Sequence, residues 1–282
     1  MHRLSILLLL LGTCLIPVET FASQDALAEC QKRVRPCGPG KDYDYDECKR
    51  VSEQTEKCDG DTDPGEICRL TLSQINPTQM SVGVHAAQCK SEKLKTRKTE
   101  SKFKKGLTRY LLKPDRLVPT VLGPDPDDAN EHRHYITDHH HLSYALYLLA
   151  TQQSKSMDEY YVYACIIGDR QNNESKHFWD FMVRHHYAWL DDNEGVAIDF
   201  NTLQSIKGLA DMKDYPFRTW SRWVRDSCGY LKYGNDCLGK KPSQKDLKQA
   251  GVDNPPPYFL EFKWADYLEK NLKGGDVIEG LD

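Results

Sequence analysis

The order of apolar and polar positions divides this chain into blocks of different period. After an apolar opening from Leu4 to Pro17, residues 23–69 are polar, acidic and rich in cysteine, with too few apolar side chains for a core of their own. Part of this leader, around Asp46–Glu56, is expected to be helical. From Leu70 the pattern changes. "LTLSQINPTQMSVG" predicts a short strand or extended segment that ends at Pro77, because proline cannot donate to a ladder. "VHAAQCKSEKLKTRKTESKFKKG" takes up helical spacing and stops at Gly106. The β-like runs "RLVPTVLG" and "HRHYIT" are joined by "PDPDDANE", whose Pro, Asp and Asn signal a turn, so the two are expected to pair as a hairpin. In the second run His132, His134 and Ile136 share one face and Arg133, Tyr135 and Thr137 the other.

Helical period returns at Leu142, Ala145, Leu146 and Leu149 and predicts a helix reaching about Thr151. Thr137 or Asp138 is expected to cap its start, since either side chain can accept from a free first-turn N–H. "YYVYACIIGD" reads as a buried strand and "ESKHFWDFMVRHHYAWL" as an amphipathic helix ending before "DDNEG". Residues 201–282 read as mostly helical. "YPFRTWSRWVRDSCGYL" and "PPYFLEFKWADYLEKNL" each gather Phe, Trp and Leu on one face, the mark of core packing. The sequence shows no internal repeat. Strands mixed with helices indicate an α/β (α+β) domain. The expected division is a signal segment at 1–22, a Cys-rich leader at 23–69, the domain at 70–200 and a helical C-terminal extension at 201–282.

Composition adds a compartment. His2 and Arg3 precede the apolar run and small residues follow near Ala22, the pattern of a cleaved secretory signal; the run is too short to cross a bilayer. The remaining chain then has no membrane span, keeps its formal charge of −4 and is expected to be secreted, extracellular or periplasmic. Nine cysteines lie beyond the signal, five of them between Cys30 and Cys68, and an oxidising compartment pairs most of them. Cys228 and Cys237 flank a Gly-containing turn and could close a small loop; the other pairings stay open. An odd count leaves one thiol free or paired with another molecule. The leader lacks the C-x₂-C spacing of a zinc knuckle. Asp59, Asp61 and Asp63 lack the later glycine and glutamate of a calcium loop and read as a solvated acidic turn. Asn173-Glu174-Ser175 is a glycosylation sequon for a eukaryotic source.

Candidate chemistry centres on two stretches. Eight lysines and arginines lie between Lys90 and Lys105. A solvated helix face is the plain reading of this run, and a cationic wall for phosphate or nucleic acid the sharper one. "HYITDHHHLSYAL" places Asp138 and His139, His140 and His141 at a strand-to-helix junction. Consecutive helical residues point about 100° apart, so the three imidazoles cannot share one ligand. One or two can line a site while the rest pack. At a helix N-terminus the dipole attracts anions and favours a neutral imidazole, which can take a proton from water or a hydroxyl. That suits phosphoryl chemistry. A second reading has His132, His134 and His139 converging on a divalent metal ion with Asp138 nearby. A third is a structural, hydrogen-bonded helix start.

"INPTQMSVGVHAAQCKSEKL", "VPTVLGPD…HRHYITDHHHLSYAL", "FWDFMVRHHYAWLDD" and "PYFLEFKWADYL", in that order, resemble the ParB-like nuclease family, a branch of the ParB/sulfiredoxin superfamily, over residues 70–272. The resemblance implies a small mixed sheet with helices, ParB/sulfiredoxin-like. It also implies a strand–turn–helix phosphate motif of Gly-Glu-Arg-Arg or Gly-Cys-His-Arg type, here at Asp138-His139-His140-His141. Asp138 stands where that motif has glycine, and His140 and His141 where it has arginine. Gln79, Lys90 and Lys93 would lie by the same pocket. The expected activity is a secreted nuclease or phosphodiesterase with Asp138, His139, His140 and His141 as catalytic residues and Gln79, Lys90 and Lys93 as phosphate ligands. The expected partner is a phosphate-bearing small molecule or a nucleic acid. Two other readings stand beside it: a nucleotide-dependent phosphotransferase, and a secreted binding protein without catalysis.

Overall fold

The computed structural model describes residues 18–103, 105–128, 131–227 and 259–272. Its centre is a mixed five-stranded sheet formed by β1 (Ile67–Thr71), β2 (Ile75–Pro77), β4 (Val118–Pro124), β5 (His132–Ile136) and β6 (Tyr161–Asp169). The spatial order is β1-β6-β4-β5-β2. β6 runs antiparallel to β1 and parallel to β4. β4 and β5 form the expected antiparallel hairpin, and β2 joins β5 in parallel. β6 reads as a near-continuous apolar run because both of its faces are covered: Val162, Tyr163, Ala164, Cys165 and Ile166 are all buried. A second, two-stranded parallel sheet pairs β3 (Ser81–Val82) with β7 (Lys213–Asp214).

Helices enclose the sheet. α1 (Val18–Arg33) packs on β6, and α3 (Val84–Lys98) packs on α5 (His140–Gln152). The predicted apolar face of α5 is in place, with Leu142, Ala145, Leu146 and Leu149 buried. α6 (Ser175–Arg184) lies on β4 over Gly123, where a Cβ would come within 2.4 Å of the Phe178 ring. α2 (Tyr45–Gln54), α4 (Leu107–Leu111) and α7 (Phe200–Gln204) are short connectors. α8 (Pro216–Asp226) and α9 (Leu260–Leu272) pack on each other, with Tyr215, Phe262 and Ala265 as a small core of their own.

The leader shares the main core. Cys30 bonds to Cys165 of β6, Cys37 to Cys48, and Cys58 to Cys68, all buried, while Cys89 is an exposed free thiol. Cys228 and Cys237, like most of the signal segment, lie outside the described residues. Among the described residues no helix is long and apolar enough to cross a membrane.

Two expected boundaries move. α3 ends at Lys98 rather than at Gly106, because the chain turns back to bring Phe103 edge-on to Tyr45 of α2, 5.7 Å between ring centres. The start of α5 is not capped by Thr137 or Asp138. Its N-cap is His139, in the left-handed region at φ 63°, with no side-chain cap. Asp138 Oδ1 instead accepts from the His139 N–H at 2.6 Å and braces that turn.

Candidate functional site

The α5 N-terminus forms the floor of a cleft of about 660 Å³. It brings together every sequence-predicted residue of the phosphate reading: Gln79, Lys90, Lys93, Asp138, His139, His140 and His141. α3 supplies the lysines. The opposite wall comes from α8, whose Arg218, Arg222 and Arg225 enter the cleft, with Arg116 and Arg97 at the other end. Seven cationic side chains there meet three carboxylates, Asp115, Asp138 and Glu261. A chain of formal charge −4 therefore concentrates a positive excess at one place.

The three histidines divide the labour. His140 is buried, and its Nε2 accepts from the backbone N–H of Thr78 at 3.2 Å. His141 Nε2 accepts from the N–H of Gly83 at 3.1 Å. Both rings thus hold the Pro77–Gly83 segment against α5, and an Nε2 that accepts fixes each as the neutral Nδ1–H tautomer. Burial lowers His140 to about 3 and holds His141 well below its ordinary value, with Arg218 acting in the same direction on both. His139 is half-buried at the cleft floor. Burial lowers it too, against the pull of Asp138. It is the imidazole on the cleft floor whose nitrogens are not used in binding backbone, so it can take and return a proton.

The wall is pinned through the first turn of α3. Gly83, the N-cap there, has no side chain with which to cap. Three N–H groups there are covered by other elements: Gly83 by His141, Val84 by Asp214 Oδ1 at 2.9 Å, and Ala86 by Thr219 Oγ1 at 3.3 Å. A Cβ at Gly83 would sit 2.7 Å from the Thr219 backbone nitrogen, so glycine is what lets α8 approach. The α8 arginines are thereby fixed over Lys90.

Lys90 is half-buried, and among the described residues no carboxylate pairs with its ammonium. Burial first, then Arg222, Arg116 and Arg225, lowers it to about 7; Asp138 opposes them. Several of the arginines are already oriented. Arg225 binds Glu261 at 2.9 Å and Asp226 at 3.1 Å, and Arg218 lies 3.9 Å over the Phe262 ring. Arg116 pairs with Asp115 at 3.4 Å. Gln79 is buried and donates its amide to the Ser81 carbonyl at 2.7 Å.

The metal set is corrected. His132 and His134 stack edge-on at 5.5 Å, and His134 packs beside Asp59 of the leader turn. A Cβ on Gly60 would strike the His132 ring at 2.5 Å. Both side chains therefore face the Cys58–Cys68 loop, away from the cleft that His139 lines. Among the described residues no group of three or more His, Cys, Asp or Glu side chains is placed to hold a metal ion.

Arg116, Arg218, Arg222 and Arg225 were not singled out from the sequence. A signal for three of them exists: positions 218, 222 and 225 repeat at helical spacing, opposite the aromatic face that the sequence reading emphasised.

The buried histidines make stability pH-dependent. In the unfolded chain each titrates near its ordinary value of 6.5. Folding lowers His140 to about 3 and His134, by burial and the neighbouring His132, to about 4. Below pH 6.5 the unfolded chain binds more protons, so stability present above that pH is lost as pH falls. The loss is roughly 1 kcal/mol per pH unit for each ring, ending near pH 4 for His134 and near pH 3 for His140. Denaturant unfolding at successive pH values is expected to show this decline, flattened in His140→Gln; a stability unchanged from about pH 7 to about pH 4 would contradict it.

Fold and cleft together define an α/β protein built around a cationic, histidine-floored cleft at a strand-to-helix corner. The chain belongs to the ParB-like nuclease family: the family model described as "Putative ParB-like nuclease" matches residues 68–236, more than half of its length. The crystal structure of protein Atu1540 from Agrobacterium tumefaciens is similar at 22% identity, covering 74% of this chain and 85% of that one with a TM-score of 0.49. No curated protein matches the sequence.

Proposed function

We propose that this chain is a phosphodiesterase, a nuclease in the broad sense, that works in an oxidising compartment outside the cytoplasm. The observation that carries the reading is the shared cleft floor. The His139 imidazole and the Lys90 ammonium, for which no carboxylate partner is found among the described residues, line one cleft at a helix N-terminus with the α8 arginines. Membership of the ParB-like nuclease family supports the same reading. Export is supported by the signal-like opening and by three disulfides, which persist where the environment is oxidising.

In this reading a phosphodiester lies over the first turn of α5. Lys90 and Arg116 hold its oxygens, and the α8 arginines neutralise the charge that builds as phosphorus is attacked. An ammonium lowered to about 7 is half deprotonated near neutrality, and a bound phosphate returns it to the charged form. His139, neutral at that pH, takes the proton from the attacking water as its oxygen bonds to phosphorus; the P–O bond to the leaving alkoxide breaks, the alkoxide takes a proton from solvent water, and the imidazolium returns its proton to solvent. Asp138 holds the left-handed turn that aims the ring. His140 and His141 act on position alone, by fixing the Pro77–Gly83 segment beneath the site.

The test is hydrolysis of end-labelled single- and double-stranded DNA and RNA by the disulfide-bonded chain, with and without chelator, compared with His139→Asn. Cleavage that depends on His139 is expected. Tight phosphate binding with no cleavage of any substrate would make the chain a binding protein and overturn the catalytic reading.

A further inference from the structure

The packing of α9 gathers two carboxylates on one phenol. Tyr215, the buried N-cap residue of α8, points its hydroxyl at Asp266 Oδ1, 3.0 Å away, and at Glu269 Oε2, 2.6 Å away, both on α9. A phenol has a single proton to donate. Two carboxylates held on the same oxygen and shielded from water repel each other unless one of them carries a proton. The shield is the loop between α6 and α7: a Cβ on its Gly195 would lie 3.4 Å from Glu269 Oε2 and 3.8 Å from Asp266 Oδ1. The other charged groups facing the cluster are Asp191 of that loop, with Asp192 beside it, Arg218 of α8 and Lys270 of α9. α9 in turn orients the cleft wall, since its Glu261 binds Arg225 at 2.9 Å and its Phe262 ring lies 3.9 Å under Arg218.

From this geometry we infer that α9 is docked through a proton shared among Tyr215, Asp266 and Glu269, and that loss of this proton at rising pH loosens α9 and with it the α8 arginines. The device goes beyond the phosphodiesterase reading and stands whether or not the cleft hydrolyses a substrate. Burial first, and Glu269 after it, hold the Asp266 carboxyl above its ordinary value, against Tyr215, Lys270 and Arg218. A carboxyl raised on folding contributes stability that is fully present below its unfolded value and is lost as pH climbs through its folded one. The sign is opposite to that of His134 and His140, whose contribution is lost as pH falls. Acid therefore weakens the protein as a whole while it tightens this joint.

Hydrogen exchange of the disulfide-bonded full chain tests it, followed from about pH 4.5 to about pH 8 and corrected for the intrinsic rate at each pH. Protection of residues 260–272 is expected to fall by about fivefold or more as pH rises, with 218–226 following. In Asp266→Asn the amide keeps a donor at every pH, and α9 protection is expected to stay level across the range. Glu269→Gln is expected to do the same by removing the repulsion. Protection of α9 that does not fall with rising pH in the unaltered chain, or that falls as far in both variants, overturns the shared proton. A fall confined to α9, with 218–226 unmoved, overturns its link to the arginine wall.

Discussion

Replacing His139 with asparagine is expected to lower phosphodiester hydrolysis by about 10²–10⁴-fold, the usual contribution of a positioned general base, while the protein stays folded. The choice of asparagine follows from the backbone. His139 sits at φ 63°, a region that β-branched and bulky residues resist and that asparagine tolerates. An alanine there would mix a backbone cost with the chemical one. Its place at the cleft floor, with no hydrogen bond from its ring to another described residue, predicts that thermal stability moves little beside that of His140→Asn. His140→Asn is the contrasting variant. It strands the buried Thr78 N–H and should cost about 1–3 kcal/mol of stability, with any loss of activity following from loss of fold. Rates measured under the same conditions for both variants separate the roles. Full activity in His139→Asn would remove the base assigned here.

Removing the Cys30–Cys165 bridge as the pair Cys30→Ala, Cys165→Ala is expected to have the largest effect on stability. The bridge closes a loop of 135 residues, against 10 for Cys58–Cys68. The chain-entropy relation gives about 5 kcal/mol for the long loop and about 3 for the short one. A typical domain has about 5–15 kcal/mol in total, so the long bridge accounts for much of what is available. It also fastens α1 to β6, an inner strand of the sheet. Denaturant unfolding of the two double variants is expected to rank them in that order, and a larger loss from the Cys58–Cys68 pair would contradict the argument.

β4, β5, β6 and α5 were legible because their signals are local, whereas the two-residue strands β3 and β7 were not, and β7 falls within the stretch expected to be helical. Alternation in "HRHYIT", the turn residues before it, and Leu142, Ala145, Leu146 and Leu149 each depend on near neighbours along the chain, and the structure has the antiparallel β4–β5 pair and the buried face of α5. The gathering of Gln79, Lys90 and Asp138 in one cleft was expected from family resemblance rather than from spacing. What the sequence hid is long-range. The pairing of Cys30 with Cys165 joins residues whose separation gives no local cue. The α8 arginines reach the cleft because glycine at position 83 lets Thr219 come close, and that contact spans more than a hundred residues. The capping of α5 was misread for a related reason. A side-chain cap was the local expectation, but Asp138 bonds its immediate neighbour and the turn goes left-handed at His139. The histidine metal set failed on strand geometry, since His132 and His134 share a face that the leader loop covers.

The central claim is that the corner formed by Asp138, His139 and Lys90 is an open seat for a phosphate. It is tested most directly by titrating inorganic phosphate into the disulfide-bonded chain while following the assigned imidazole proton resonances by NMR. The account predicts a saturable shift at His139, a small one at His140, whose ring is tied to Thr78, and loss of the His139 response in Lys90→Met. Phosphate that binds without moving His139, or that moves it equally in Lys90→Met, would contradict it.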